Sequence, residues 1–396
     1  MERIAEAPFI ESLVPGSAVL RTDPWETYRR LRRESPVVWA PGLRTHVTFT
    51  HQAAREVLAS ADFVAEHPFR ASRRALGPTI LDVEGEAHRR LRRMARGPLA
   101  ATALRREASH IDGQISEVVE QLPVGAPVDL VGRLAMKLPM LIMCGLLGLP
   151  RGGADWLSDQ TAVIVSYLDA QTVSLAQVRQ AKRNLNDYLR SHMFCCEAQD
   201  GALTQGVRTA VRDGVVSLRE AYDNIVFLLV AGTASSVCAI ANTLTCVLDR
   251  PDRYFRLADE PAFAVAVTRE SLRLETPVQF VPRFAAADTT VAGTPIRAGQ
   301  AVQACLSSAN RDEAIFDEPD SWRPERANLD QALSFGHGRH SCLGGALGEH
   351  ELVTLLHTLT ARFPVVGTGG PLERPQGWIF RRPPRLTVTL YRTGGR

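Results

Sequence analysis

The sequence predicts a mainly α-helical protein that carries several small β-sheets. Much of the 396-residue chain has apolar side chains at helical spacing, separated by turns. The strongest single helix signal is residues 218–249, which follow a capping box formed by Ser217 and Glu220. Short apolar runs at 37–39 and 46–49 flank turn residues and instead predict a hairpin.

Composition predicts one large domain. The chain is 45% hydrophobic, enough for a sizeable core, and has no Gly/Ser-rich linker. We therefore expect a single domain over residues 1–396 with a short tail of about 1–21. The first twelve residues include charges and no apolar core, so neither a signal peptide nor an anchor is predicted. Seven unframed cysteines indicate reduced thiols and a cytoplasmic protein.

Charge and hydropathy give no indication of nucleic-acid or membrane binding. The net charge is only +3, and no aromatic residues are interleaved with the arginine runs. One uncharged run, 225–248, reaches membrane length, but its glycine, serine, threonine and asparagine residues favour a buried central helix.

The other elements follow in chain order. A helix is predicted from Pro24, after the possible cap residues Thr22 and Asp23, to about Glu34. Residues 62–80 are irregular, and long loops of this kind often bind ligands. Further helices are predicted over 51–58, 86–99, 107–122, 130–147, 154–168, 174–197 and 205–213, and a turn-rich hairpin over 291–302.

A single thiol, Cys342, lies in an unusual segment between Ser334 and Glu351. Glycines before it permit a tight turn, and the Leu, Ala and Glu residues after it predict a helix. A cysteine at a helix N-terminus is favoured as a thiolate, which is the form that ligates metals. Three interpretations are open: a buried free cysteine, a zinc cluster with His337 and His340, or a thiolate ligand to haem iron.

The spacing of Phe335, Gly338, Cys342 and Gly344 resembles the haem loop of the cytochrome P450 family, Phe-x-x-Gly-x-x-x-Cys-x-Gly. The resemblance extends over about Asp23–Leu390. It implies a P450-like fold in which haem b lies between the long central helix and the helix after the cysteine loop. The ordered markers are His88/Arg92, Ala231-Gly232, Glu270/Arg273, Arg283, Asn310-Arg311-Asp312 and Cys342.

The resemblance implies roles for several of these residues. Cys342 would be the axial iron ligand, in a loop with Phe335, Gly336 and Gly344. The propionate contacts would be His88, Arg92, Arg283 and His340. Alternatives remain open: a solvated basic face for His88 and Arg92, and a role in holding the loop for His340. Glu270 and Arg273 would form a structural pair, unless they are a surface salt bridge.

By the same resemblance, an apolar pocket for substrate would lie above the haem. Its candidate residues are Phe63, Phe69, Ile80, Val278, Phe280, Val281 and Ile379. The alternative for the first three is a place in the hydrophobic core.

The segment Ala231–Ser236 corresponds to the family's oxygen-binding motif, Ala-Gly-x-acid-Thr, but departs from it. Gly232 is present and implies close approach of the helix to the haem and a local groove. Ala234 replaces the acid and Ser235 replaces the threonine. We expect Ser235, Thr233 or Ser236 to organise a water chain in place of the acid-alcohol pair.

The implied function is a haem-thiolate oxidase of secondary metabolism that acts on a small aromatic natural product. Monooxygenation and oxidative aryl coupling, for example of tryptophan- or tyrosine-derived cyclic dipeptides, are both open. Dioxygen would be activated with electrons from a separate ferredoxin-type or flavodoxin-type donor, docking near Arg89 and Arg93 on a monomer. The alternative is a haem protein that senses or carries a ligand without turnover.

Overall fold

A computed structural model describes residues 13–170, 172–193, 201–260 and 262–392. These ranges fold mainly into α-helices, as predicted. In chain order the helices are α1 (Ala18–Thr22), α2 (Trp25–Glu34), α3 (His51–Ala59), α4 (Ala71–Leu76), α5 (Gly85–Leu99), α6 (Ala101–Glu120), α7 (Leu138–Leu147), α8 (Ala154–Leu168), α9 (Leu175–Met193), α10 (Ala202–Arg212), α11 (Leu218–Leu248), α12 (Pro251–Asp259), α13 (Phe263–Leu274), α14 (Leu306–Ala309) and α15 (Gly345–Arg362).

Ten short strands form three small sheets within the described ranges. In chain order they are β1 (Val37–Ala40), β2 (Thr45–Thr48), β3 (Phe63–Val64), β4 (Pro127–Asp129), β5 (Phe280–Ala285), β6 (Thr289–Val291), β7 (Thr294–Ile296), β8 (Ala301–Cys305), β9 (Val365–Thr368) and β10 (Thr387–Tyr391). The largest sheet has the order β1-β2-β8-β5-β3, the second has the order β4-β10-β9, and β6 pairs with β7. The predicted hairpin at β1 and β2 is confirmed, with Val37 opposite Thr48.

Several element boundaries differ from the predictions. The helix predicted over 130–147 is interrupted: residues 131–135 form a π-helical turn, and α7 begins only at Leu138. Pro139 explains the break, since a proline without an N–H is tolerated only in the first turn of a helix. The loop 62–80 contains β3 and the short α4. The predicted cap before α2 is absent, since Pro24 is its N-cap and makes no side-chain bond.

Part of one predicted helix lies outside the described residues. The prediction 174–197 extends past Met193, where α9 ends, into 194–200. Cys195 and Cys196 belong to that stretch. The first twelve residues of the predicted tail also lie outside the described ranges.

The central helix α11 begins at the predicted capping box. Glu220 N–H donates to Ser217 Oγ, and Ser217 N–H donates to the Glu220 carboxylate at 2.8 Å. Among the described helices, α11 alone is long and apolar enough to cross a membrane, but more than half of its most apolar stretch is buried inside the protein. The buried central helices of soluble proteins share this property.

A fully buried ion pair links α13 to the segment that leads toward the cysteine loop. Arg273 Nε donates to Glu270 at 2.7 Å, and Arg273 also donates to Asn310 O at 2.8 Å. Glu270 accepts from Arg323 N–H at 2.7 Å and from Arg326 Nε at 3.1 Å. Both side chains of the pair are inaccessible to solvent, so the surface salt bridge interpretation is wrong.

We expect Arg273→Met to lower the free energy of unfolding by about 3–5 kcal/mol, since Glu270 would be left charged and buried without its partner. Urea denaturation of the purified protein measures this change. The matched control is Arg89→Met, which breaks an exposed i,i+3 pair with Glu86 and is expected to leave the unfolding midpoint nearly unchanged. Equal effects of the two substitutions would contradict this account of the pair.

Candidate active site

Left-handed glycines shape the loop that carries Cys342. Gly336 and Gly338 have φ angles of 68° and 73°, a region that other residues rarely adopt. A Cβ atom on Gly338 would also lie 2.5 Å from Leu58 O, so no larger residue fits there. Cys342 N–H donates to Phe335 O at 2.7 Å and closes the loop. Helix α15 then begins three residues after Cys342, as the sequence predicts.

Cys342 lines a cavity, and its side chain is exposed there. Burial raises the pKa of its thiol, while Gly344 N–H and the positive charge of Arg92 lower it. In the protein alone, the net effect is a raised pKa, so the position of Cys342 near a helix N-terminus does not by itself favour the thiolate as predicted. A bound metal cation would reverse this balance, because a coordinating thiol loses its proton.

The zinc interpretation is wrong for the described part of the chain. No group of three or more His, Cys, Asp or Glu side chains there is placed to hold a metal ion. His340 instead bonds to Glu84, at 3.1 Å. The thiol of Cys342 is thus left without protein partners for a zinc cluster.

The cavity in front of Cys342 has a volume of about 370 Å³ and mostly apolar walls. Helix α11, the cysteine loop and the first turns of α15 all contribute to these walls. Three of the predicted pocket residues, Ile80, Val278 and Val281, line it.

Four other predicted pocket residues do not line the cavity. Phe69 is 78% exposed at the surface. Phe63 is buried in a separate core cluster with Ala285 and Val302, which is the alternative left open for it. Phe280 and Ile379 belong to a third cluster, around Tyr28 and Trp378.

Strand geometry explains two of these differences. Successive residues of a strand point to opposite faces, so Val281 and Arg283 of β5 line the cavity whereas Phe280 points away from it. At the C-terminal turn, Phe380 forms a bridge with Val278 and lines the cavity in place of Ile379. Phe380 is a cavity residue that the sequence prediction missed by one position.

Two buried side chains near the cysteine loop carry nitrogen donors without full partners: Arg283 lines the cavity, whereas His88 does not line it and packs its ring 4.1 Å from that of His340. Arg283 is 2% exposed, and the one hydrogen bond of its guanidinium within the described ranges goes to the adjacent Pro282 O. Burial, together with the nearby Arg70, lowers the pKa of Arg283 to about 9. His88 Nε2 is buried without a partner, and burial and the neighbouring His340 lower the pKa of its ring to about 4.

Arg92 and His340 lie beside these donors but already have protein partners. Arg92 lines the cavity and donates to Ser341 O at 3.0 Å. His340 Nε2 lies 3.1 Å from Glu84, which also accepts from Arg339 and from Ala65 N–H. This favours the alternative in which His340 holds the loop.

Glu84 anchors the cysteine loop, and no sequence motif identifies it. Burial alone would raise the pKa of this carboxyl, but hydrogen bonds from His340, Arg339 and Ala65 hold it well below its usual range. A lone acid before α5 carries no local signature, because its partners come from a segment about 255 residues away.

The arrangement fits a haem. The cavity has mostly apolar walls with residues from both α11 and α15, which suits an apolar ring, and Cys342 would offer its sulfur to the iron. Anionic propionates would supply the partners that buried Arg283 and His88 Nε2 lack. Gly344 has open space where a side chain would begin, so its backbone does not obstruct the ring.

In the oxygen-motif segment of α11, fewer hydroxyl groups than predicted are free to bond to water in the cavity. Ser235 lines the cavity, but its Oγ donates to Ala231 O at 2.7 Å. Thr233 is buried away from the cavity and donates to Leu229 O, which removes it from the expected water chain. Ser236 lines the cavity and makes no hydrogen bond within the described ranges.

Gly232 lines the cavity, but its close contact is with another helix. A Cβ atom there would lie 3.1 Å from Met143 Sδ on α7, so this glycine lets α7 and α11 pack together. Helix α11 is continuous through Gly232 and Ala234.

Comparisons with known proteins identify relatives over nearly the whole chain. A family model described as Cytochrome P450 matches residues 212–390. Mycinamicin IV hydroxylase/epoxidase of Micromonospora griseorubida is 32% identical over 78% of this chain and 79% of that protein. Nocardicin C N-oxygenase of Nocardia uniformis subsp. tsuyamanensis is 30% identical over 91% and 94%. The structure of ligand-free CYP164A2 of Mycobacterium smegmatis matches with a TM-score of 0.83 and 27% identity, over 94% and 97% of the two chains.

We expect Arg283→Met to weaken haem retention by about 10- to 100-fold, since a charge-assisted hydrogen bond of about 1.5–3 kcal/mol is lost. The same substitution should leave the haem-free protein equally or more stable, because it removes a buried cation without a partner. Haem transfer to an acceptor globin and thermal unfolding of the haem-free protein measure the two effects. Arg297→Met, at an exposed position, is the control. Unchanged haem retention would remove Arg283 from the cofactor site.

Proposed function

The chain belongs to the cytochrome P450 family, as a bacterial-type monooxygenase of secondary metabolism, and we propose that it oxidises a small, apolar, aromatic natural product. One observation carries the proposal: a glycine-shaped loop presents the thiol of Cys342 to an apolar cavity that is also lined by the buried, incompletely paired guanidinium of Arg283. We propose one haem-thiolate domain, cytoplasmic and monomeric.

The proposed cofactor is haem b, with Cys342 as axial ligand. Arg283, His88 and Arg92 would hold its propionates, while Glu84 and His340 fix the loop that carries the sulfur. When bound, a thiolate-ligated haem iron activates dioxygen with two electrons and two protons.

The walls of the cavity support an apolar substrate. Ile80, Val278 and Val281 provide aliphatic surface, and Phe380 offers a ring on which an aromatic group can pack. Removal of these surfaces from water favours an apolar ligand, and the few polar side chains available can orient it. Tryptophan- and tyrosine-derived cyclic dipeptides are the first compounds to test.

The electron donor is proposed to be a separate ferredoxin-type or flavodoxin-type protein. Arg93 on α5 is exposed and forms no ion pair within the described ranges, which suits contact with an acidic protein. Arg89 is also exposed but pairs with Glu86 at 2.7 Å. Arg90 is not part of this surface, because it is anchored to Glu220.

The test is turnover of such compounds with a ferredoxin, its reductase and isotopically labelled dioxygen, followed by mass spectrometry. Monooxygenation predicts a product heavier by one labelled oxygen atom. A product lighter by two hydrogens and free of label would show oxidative aryl coupling instead. If compounds that shift the Soret band give no product while the donor reduces the iron, the protein senses or carries its ligand. Cys342→Ser is the inactive control.

A further inference from the structure

A buried carboxylate at the C-terminal end of α8 makes a long-range contact that none of the roles described so far uses. Asp169 is the C-cap residue of α8 and is 5% exposed. Its Oδ1 accepts hydrogen bonds from Ile379 N–H at 2.6 Å and from Phe380 N–H at 3.2 Å. These bonds join segments that are 210 and 211 residues apart in the sequence.

Both of the segments that Asp169 joins contribute to the walls of the cavity. Leu168, the residue before Asp169, lines the cavity, and so does Phe380 in the C-terminal turn. Asp169 itself is not among the lining residues. It therefore ties two distant parts of the cavity wall together without lining the cavity.

The end of α8 is locally unfavourable for an acid. The C-terminus of a helix carries a partial negative charge, so a carboxylate there is destabilising. The next residue, Ala170, has a φ angle of 53°, in the left-handed region where glycine is the usual residue. A buried carboxylate at this position needs partners from outside the helix, and the N–H groups of Ile379 and Phe380 provide them.

The turn that carries Phe380 is also held in the fold by other hydrogen bonds. Backbone bonds of 2.9 and 3.1 Å join residues 379 and 381 to the segment 277–279, which supplies another part of the cavity wall. These bonds fix one edge of the turn, whereas Asp169 binds the N–H of Phe380 on the other edge. Loss of the Asp169 carboxylate would therefore leave the turn folded but free to shift relative to α8.

We propose that Asp169 is a positioning residue for the substrate, because its bonds to the backbone at 379 and 380 set the place of the Phe380 ring in the cavity wall. Aromatic rings attract each other in offset-stacked or edge-to-face arrangements, so the position of one ring decides how well another packs on it. A hydrogen bond to a carboxylate is about twice as strong as one between neutral groups, which suits this role. The inference rests on the proposed function, in which an aromatic ligand occupies the cavity.

The experiment measures binding of imidazole and 4-phenylimidazole to the haem-loaded protein from the shift of the Soret band. Both probes ligate haem iron through a ring nitrogen, but only 4-phenylimidazole carries a phenyl group that can pack on the cavity wall. We expect Asp169→Ala to weaken binding of 4-phenylimidazole by about 3- to 10-fold and to change binding of imidazole by less than about two-fold.

Two further variants serve as a rescue and as a control. Asp169→Asn keeps an oxygen that accepts both N–H groups, so it should bind 4-phenylimidazole nearly as tightly as the unsubstituted protein does. Asp159→Ala removes an exposed carboxylate from the same helix and should change the binding of neither probe. A loss in Asp159→Ala that equals the loss in Asp169→Ala would overturn the proposal.

A double-mutant cycle tests whether Asp169 acts through Phe380. Phe380→Ala should reproduce the selective loss of 4-phenylimidazole binding. Addition of Asp169→Ala should then cause no further loss, because both substitutions remove the same interaction. Additive losses, or equal losses for the two probes, would indicate a structural role and would overturn the proposal.

Backbone hydrogen exchange tests the contact without any ligand. Asp169→Ala should speed exchange of the Ile379 and Phe380 N–H groups, while the Arg381 N–H, which donates to Pro277 O, keeps its protection. Unchanged exchange at 379 and 380 would overturn the proposal. A failure of the proposed function looks different: the unsubstituted protein would show no Soret shift with either probe, while exchange at 379 and 380 would still depend on Asp169.

Discussion

The structure depends on how one short loop holds the Cys342 thiol at the edge of an apolar cavity. Gly336 and Gly338 adopt left-handed conformations, and Gly338 also passes too close to Leu58 O for any side chain. The Glu84 carboxylate ties the loop to the start of α5 through Arg339 and His340. Because burial raises the pKa of the thiol, this geometry prepares a metal ligand that becomes an anion only when a cation binds.

The buried charges of the protein fall into two groups with different purposes. Glu270 with Arg273, and Glu84 with its three donors, are compensated within the fold and serve its rigidity. Arg283 and Glu351 are buried without comparable partners, and both line the cavity. Burying a charged or polar group without a partner lowers the stability of the fold. We therefore expect ligand binding or chemistry at these two side chains. Propionate binding would give Arg283 the partner that the fold does not supply.

Local sequence patterns predicted the helices, the hairpin and the cysteine loop. Which side chains line the cavity was harder to predict, because it depends on how distant segments pack together. The Ser217 capping box and the hairpin of β1 and β2 were predictable, because each is decided by residues close in sequence. Phe69 was assigned to the pocket from the family resemblance, yet it lies at the surface. Phe380 rather than Ile379 lines the cavity, since a shift of one residue reverses the face of a strand-like segment. Glu84 had no sequence signal, because its role follows from partners that lie far away in the sequence.

The central requirement of the proposed site is a bond between the Cys342 sulfur and haem iron. The most direct measurement is the absorption spectrum of the reduced, haem-loaded protein under carbon monoxide, compared with that of Cys342→His. The account predicts the strongly red-shifted Soret band of a thiolate-ligated haem in the unsubstituted protein and its loss in the variant. A band at the same wavelength in both proteins would contradict it.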